Sequence, residues 1–156
     1  MLMQPMTENE FDAFIGQSVA GYARDLERTY QYPPARALEC AFSNLDALLP
    51  NGQHTEDHCF FNLCSDTGDI VGELWLEVRL QPGEPATLFI CDLEIRSQFQ
   101  RQGFGQRALE AAEKWALARG IRRLELNVFA DNEAALALYK SAAFVPCEIT
   151  MGKQLG

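Results

Sequence analysis

The chain has 156 residues, a common size for one domain around a single core, and its 47 % apolar and 22 % charged residues, without any low-complexity run, are those of a folded globular chain rather than a disordered one. A net charge of −9 argues against the clustered Lys and Arg that nucleic-acid binding demands, and suits a cationic partner without naming one. No stretch approaches the about 18 apolar residues that cross a bilayer, and the start MLMQPMTENEF puts no basic region ahead of an apolar run, so a single cytoplasmic domain over residues 1–156, bound to neither membrane nor nucleic acid, is expected.

The first element is signalled by a capping box, in which Thr7 can accept the amide three residues on while Glu10 reaches back to the amide of Thr7. Phe11, Phe14, Ile15, Ser18, Val19, Tyr22 and Leu26 then recur at helical spacing until Pro33-Pro34 ends the run. A second helix is expected from Ala35 to Leu49, with Leu38, Ala41, Phe42, Leu45 and Leu49 on one face and Pro50-Asn51-Gly52 as its breaker. The period then changes to that of strands. Cys59–Cys64 and Ile70–Val78, joined by the polar turn Asp66–Asp69, read as a hairpin, and Thr87–Ile95 as a third strand. A helix from Gly105 to Arg119 ends at Gly120, followed by a strand Leu124–Phe129, a short helix Asn132–Ser141 and a last strand near Val145–Met151. This order predicts an α/β (α+β) fold, a mixed and mostly antiparallel sheet flanked by about four helices.

Five cysteines, odd in number and without a C-x-x-C pair, and only two histidines give no metal-ligand spacing, so no metal is expected and most thiols are expected to be small buried hydrophobes. The informative stretch is Leu93–Gly105, where a strand runs through a Gly-rich loop into a helix. Gly103 and Gly105 let backbone approach an anion without a Cβ, the free amides of the helix start point at it, and Gln100, Arg101 and Gln102 add side-chain donors. A tight strand-to-helix turn is the plainer reading of the same loop. A dinucleotide fingerprint fails because position 108 is Ala, and a P-loop fails because no Gly-Lys-Ser/Thr follows.

Gln-x-x-Gly-x-Gly at Gln100–Gly105, then Asn-x-x-Ala-x-x-Leu-Tyr from Asn132 to Tyr139 and a Phe at Phe144, resembles the GCN5-related N-acetyltransferases in motif order and spacing, and the element string is similar to that fold along nearly the whole chain. The resemblance implies acetyl-CoA as co-substrate and transfer of its acetyl group to a primary amine on a small-molecule or peptide acceptor. It implies that Gln100, Arg101, Gln102, Gly103, Phe104, Gly105 and Gln106 cradle the pyrophosphate, that the backbone of Leu93 and Ile95 pairs with the pantetheine arm, and that Asn132 contacts the cofactor. In the same family likeness the Leu93 amide polarises the thioester carbonyl, and Tyr139 protonates the departing thiolate, a transfer from a phenol of pKa about 10 that only close positioning makes efficient. Asn132 as a helix cap and Tyr139 as a core aromatic are the structural readings of the same residues. A non-catalytic acyl-CoA-binding scaffold of the same fold is the alternative function, and a homodimer is compatible with either.

An amine of pKa about 10.4 must lose a proton before it attacks, so a carboxylate or a water relay is expected. Asp92 and Glu94 share one face of their strand, and Glu125 and Asn127 one face of its expected neighbour. Relatives acting on protein N-termini often carry Glu where this chain has Asn127, and Asn is no base. That leaves Glu94 and Asp92, or a water held by Asn127, against the reading that all are solvated strand residues. Ala143 stands where the family usually has Gly, a change that costs at most about 1 kcal/mol if positive φ is needed there.

Overall fold

Thr7 starts the first helix by both halves of its capping box: its hydroxyl accepts the Glu10 amide at 3.3 Å and its own amide donates to Glu10 Oε2 at 2.8 Å. The computed structural model describes residues 1–156. In chain order its elements are β1 (Leu2–Pro5), α1 (Glu8–Tyr30), α2 (Pro34–Leu48), β2 (His58–Cys64), β3 (Ile70–Arg79), β4 (Thr87–Ile95), α3 (Phe104–Leu117), β5 (Leu124–Leu126) and α4 (Glu133–Ser141). The five strands form one open sheet in sequence order, with β1 to β4 antiparallel and β5 parallel to β4.

Alternation along the strands divides the sheet into two apolar faces. Leu63, Val71, Leu74, Leu76, Leu88 and Ile90 pack on one side against Ala108, Leu109, Ala112 and Ala116 of α3. Phe60 and Trp75 pack on the other against Phe11 and Phe14 of α1, with edge-on aromatic contacts such as Phe11–Phe60 at 4.8 Å between centroids. Thus α3 lies on one face and α1 on the other, and α2 covers α1 rather than the sheet. No helix is long and apolar enough to cross a membrane.

The α1–α2 contact corrects the expected face of the second helix. Ala37 and Ala41 are buried against Ala23 and Leu26, while Leu38 and Phe42 are exposed. Small residues one turn apart let the two helices approach, so the seam lies to one side of the larger apolar residues.

Three strand expectations also change. β1 appears where the sequence suggested no element; it is a four-residue edge strand with Leu2 exposed, too short to show alternation. β5 stops at Leu126 instead of Phe129. The expected last strand is not formed: Val145, Ile149 and Met151 are exposed, and Pro146 lacks the N–H a ladder would use. The thiols differ as well, because Cys64 is buried, Cys40, Cys59 and Cys91 are half-buried, Cys147 is exposed, and all are free.

A register shift between Trp75 and Leu76 makes Cys91 the extra residue of a bulge, since Leu76 faces Ile90 and Trp75 faces Asp92. Before the bulge the even residues Leu88 and Ile90 face α3; after it the odd residues Leu93 and Ile95 do. The bulge therefore turns Asp92 and Glu94 out of the apolar core and toward α1.

Candidate active site

β4 pairs with β5 only through Leu88–Leu124, Phe89–Glu125 and Ile90–Leu126. Beyond the bulge it continues to Ile95 with no strand on that side, so the backbone of Cys91–Ile95 borders an opening in the sheet. An extended chain can pair there as a strand would.

At the end of β4 the chain enters the Gly-rich loop. Gln100 Nε2 donates to the Ile95 carbonyl at 2.9 Å and Gln102 Nε2 to the Gln98 carbonyl at 3.1 Å, so both side-chain amides brace the loop instead of facing outward as the sequence suggested. Arg101 and Gly103 both have positive φ, 60° and 82°, which turns the loop into α3. Gly103 caps that helix without any side-chain bond, and Arg107 is the first residue whose amide returns to it, at 3.2 Å. The amides of Phe104, Gly105 and Gln106 are those a helix start leaves for an anion. The two glycines differ in use: a Cβ on Gly103 would meet nothing within 4 Å, whereas one on Gly105 would lie 3.0 Å from Leu138 Cδ2 of α4. Gly105 lets α4 close on α3.

α4 begins at Asn132, whose Oδ1 accepts the Ala135 amide at 3.1 Å, so the capping reading of that residue holds. It ends in a two-bond Schellman turn, with the Phe144 amide donating to the Tyr139 carbonyl at 2.9 Å and the Ala143 amide to the Lys140 carbonyl at 3.1 Å. Phe144 folds back on Tyr139 with ring centroids 5.7 Å apart, and Ala143 takes the positive φ of 65° that this turn needs. Tyr139 is thus held by backbone and ring together, against the α3-side core. Burial, and then the nearby charge of Asp92, raise its phenol above the ordinary value.

Asp92 approaches from the opposite side of the sheet. Ser18 of α1 donates its hydroxyl to Asp92 Oδ2 at 3.0 Å. Burial pushes the Asp92 carboxyl up to about 6; the Ser18 hydroxyl and the Leu93 amide oppose that, and the charges of Glu94 and Glu73 add to it.

Glu94 is exposed and sits opposite Glu73, which Arg96 holds through Nε at 2.9 Å and Nη2 at 2.6 Å. Glu125 is paired with Arg123 at 2.6 Å, and Asn127 falls beyond the end of β5. Of the two expected bases, Asp92 and Glu94, it is Asp92 whose charge reaches the Tyr139 phenol. Sequence reasoning missed Ser18 as a site residue, although a hydroxyl within the apolar stripe of α1 was the available signal.

The model of a family described as "Acetyltransferase (GNAT) family" matches residues 18–144. The uncharacterized N-acetyltransferase YdgE of Bacillus subtilis is 34 % identical over 154 residues, covering 98 % of this chain and 97 % of that protein. The crystal structure of the acetyltransferase YycN from Bacillus subtilis superposes with a TM-score of 0.92 at 30 % identity, covering 99 % of this chain and 98 % of that one. More distantly, the aminoglycoside N-acetyltransferase AAC(6')-Iy in complex with CoA shares the fold, with a TM-score of 0.55 and 16 % identity over 74 % of this chain and 90 % of that one.

Proposed function

Because the chain belongs to the acetyltransferase (GNAT) family and is an N-acetyltransferase, we propose that it transfers acetyl from acetyl-CoA directly to a primary amine at the opening between β4 and β5. The observation that carries this reading is a set of three unlike features: strand backbone without a strand partner, helix-start amides behind Gly103, and a phenol fixed by the Schellman turn of α4, with Leu93, Ile95, Phe104 and Tyr139 all packed against one core cluster. Each has a plainer explanation alone; together they match the demands of a long thioester that ends in phosphates.

The residues fit such a co-substrate. The amides of Phe104, Gly105 and Gln106 would take the pyrophosphate, with Gln100, Arg101 and Gln102 shaping the loop, and the backbone of Leu93 and Ile95 would align the pantetheine arm. Asn132 would contact it from the start of α4. Acetyl-CoA supplies an activated carbonyl carbon and a sulfur leaving group. The Leu93 amide is the donor for the carbonyl oxygen, where a preorganised N–H meets growing negative charge. Tyr139 gives its proton to the sulfur; its raised pKa keeps the phenol protonated throughout the neutral range but makes it a weaker acid, so close positioning supplies the efficiency.

Incubation with acetyl-CoA and, in turn, spermidine, 2-phenylethylamine, an aminoglycoside and an alanyl peptide should release thiol and yield one acetylated product by mass. Tyr139→Phe keeps the ring against Phe144 and removes only the proton, so acetyl-CoA affinity should persist while turnover falls about 10²-fold or more. A variant with a lower melting temperature and full turnover would return Tyr139 to a purely structural role.

A further inference from the structure

Three features meet at Asp92. The bulge at Cys91 aims its side chain toward α1. Ser18, at the middle of the stripe that packs α1 to the sheet, donates to one carboxyl oxygen at 3.0 Å. Tyr139 packs against the core on the α3 side of the sheet, close enough for the charge of Asp92 to raise its phenol. A carboxylate on the α1 side and a phenol on the α3 side suit a reaction that removes a proton from one reactant and gives a proton to the other. Glu94, one pleat further along, is exposed and opposite a glutamate already held by arginine, and lacks any such placement.

We infer that Asp92 is the proton acceptor for the incoming ammonium and that Ser18 is its positioning residue, so that helix α1 sets the base of the reaction. The inference rests on the acetyl-transfer reading above. The first ammonium proton passes to the Asp92 carboxylate, and the nitrogen lone pair forms the C–N bond as the C–S bond breaks. The sulfur takes the Tyr139 proton, and the second nitrogen proton restores the phenol. Asp92 then releases its proton to solvent, giving amide, free thiol and one proton overall. The groups that face Asp92 are Glu94 and Cys91 on its own strand, Glu73 from β3, Tyr139 from α4 and Ser18 from α1. A carboxyl titrating at about 6 is ionised at neutral pH yet basic enough to hold a proton briefly.

The test is the pH dependence of kcat/KM with acetyl-CoA and the fastest acceptor among spermidine, 2-phenylethylamine and the alanyl peptide. In the parent enzyme kcat/KM should rise through about pH 6 and level off. In Asp92→Asn it should fall about 10²-fold at pH 7 and recover about tenfold per pH unit toward the acceptor's own pKa, because only amine already neutral can then react. Ser18→Ala, which removes a bond that favours the carboxylate, should move the parent's acid limb upward by about half a pH unit or more, and Ser18→Thr should restore it. A profile for Asp92→Asn that parallels the parent at reduced height would overturn the assignment, as would an unchanged acid limb in Ser18→Ala. If Asp92→Asn does not fold, Ser18→Ala alone decides. An enzyme that acetylates none of the amines sinks the acetyl-transfer reading, and this inference with it; full parental activity retained in Asp92→Asn sinks only this inference.

Discussion

A carboxyl at about 6 instead of its ordinary 3.8 marks a residue whose charged form the fold disfavours. Because the folded-state pKa of Asp92 lies above the unfolded one, its favourable contribution is complete below about pH 4 and is lost as pH rises through 6. At pH 8 the fold holds a half-buried carboxylate at a cost of about 2 kcal/mol, somewhat less than the full free energy of a two-unit shift because solvent reaches part of the group. Asp92→Asn should therefore raise stability at pH 8, by about 2 kcal/mol in denaturant unfolding, with the gain fading near pH 4. A variant that is stabler and slower at once is what a functional carboxyl gives, whereas a structural one would lose on both counts. The sequence made Asp92 a candidate by strand alternation but could not rank it above Glu94. The ranking comes from Ser18, Arg96 and the bulge, all of which depend on contacts between residues far apart in the chain.

Among the elements, α4 shows how local code and tertiary demand combine. Its start at Asn132 and its stop near Phe144 were both legible, because caps are local chemistry. The Schellman turn puts Ala143 at φ 65°, so the conditional cost of Ala for Gly applies. Ala143→Gly should stabilise the protein by about 0.5–1 kcal/mol in equilibrium unfolding and leave Tyr139 in place; a loss of stability would mean that the turn does not need left-handed backbone. Gly105 gives the converse case. With a Cβ already 3.0 Å from Leu138, Gly105→Val must push α4 away from α3, and Tyr139 is the next residue, so turnover should fall even where acetyl-CoA still binds. Gly72 is tighter still: its Cβ would lie 2.2 Å from the Glu94 carbonyl oxygen, and Gly72→Ala should cost more than about 2 kcal/mol by separating β3 from β4. None of these approaches is written in a local pattern. Nor was the failure of residues 145–151 to form a strand, since their alternation is real and only the short edge of β5 and the missing donor of Pro146 decide against it.

At the scale of the molecule, three bodies surround the unpaired end of β4 in the proposed site: α1 with Ser18, the sheet with its bulge and Asp92, and the α3–α4 pair with loop and phenol. Arg28 of α1 is ion-paired with Asp131 just before α4, so the first and last helices are tied across the end of the sheet. The order of elements and the two motifs were readable because they are sequential, while the meeting of α1 with β4 was not, joining residues 74 positions apart. A co-substrate lodged between such bodies binds only when all are assembled, and so it stabilises the whole fold by mass action. Acetyl-CoA at a hundred times its Kd should add about 2.7 kcal/mol, which for a chain of this size is a rise of about 5–10 °C in melting temperature. ATP and NAD at the same concentration should produce little shift, since neither carries the arm that the β4 edge would pair. In Gly103→Val the left-handed φ of 82° strains any β-branched residue, lowering the melting temperature at the outset by the equivalent of about 1–2 kcal/mol, and the added side chain stands where the phosphates would lie. The folded variant should therefore show no further rise with acetyl-CoA. A rise equal to that of the parent would mean that the loop only turns the chain, and that acetyl-CoA is held elsewhere.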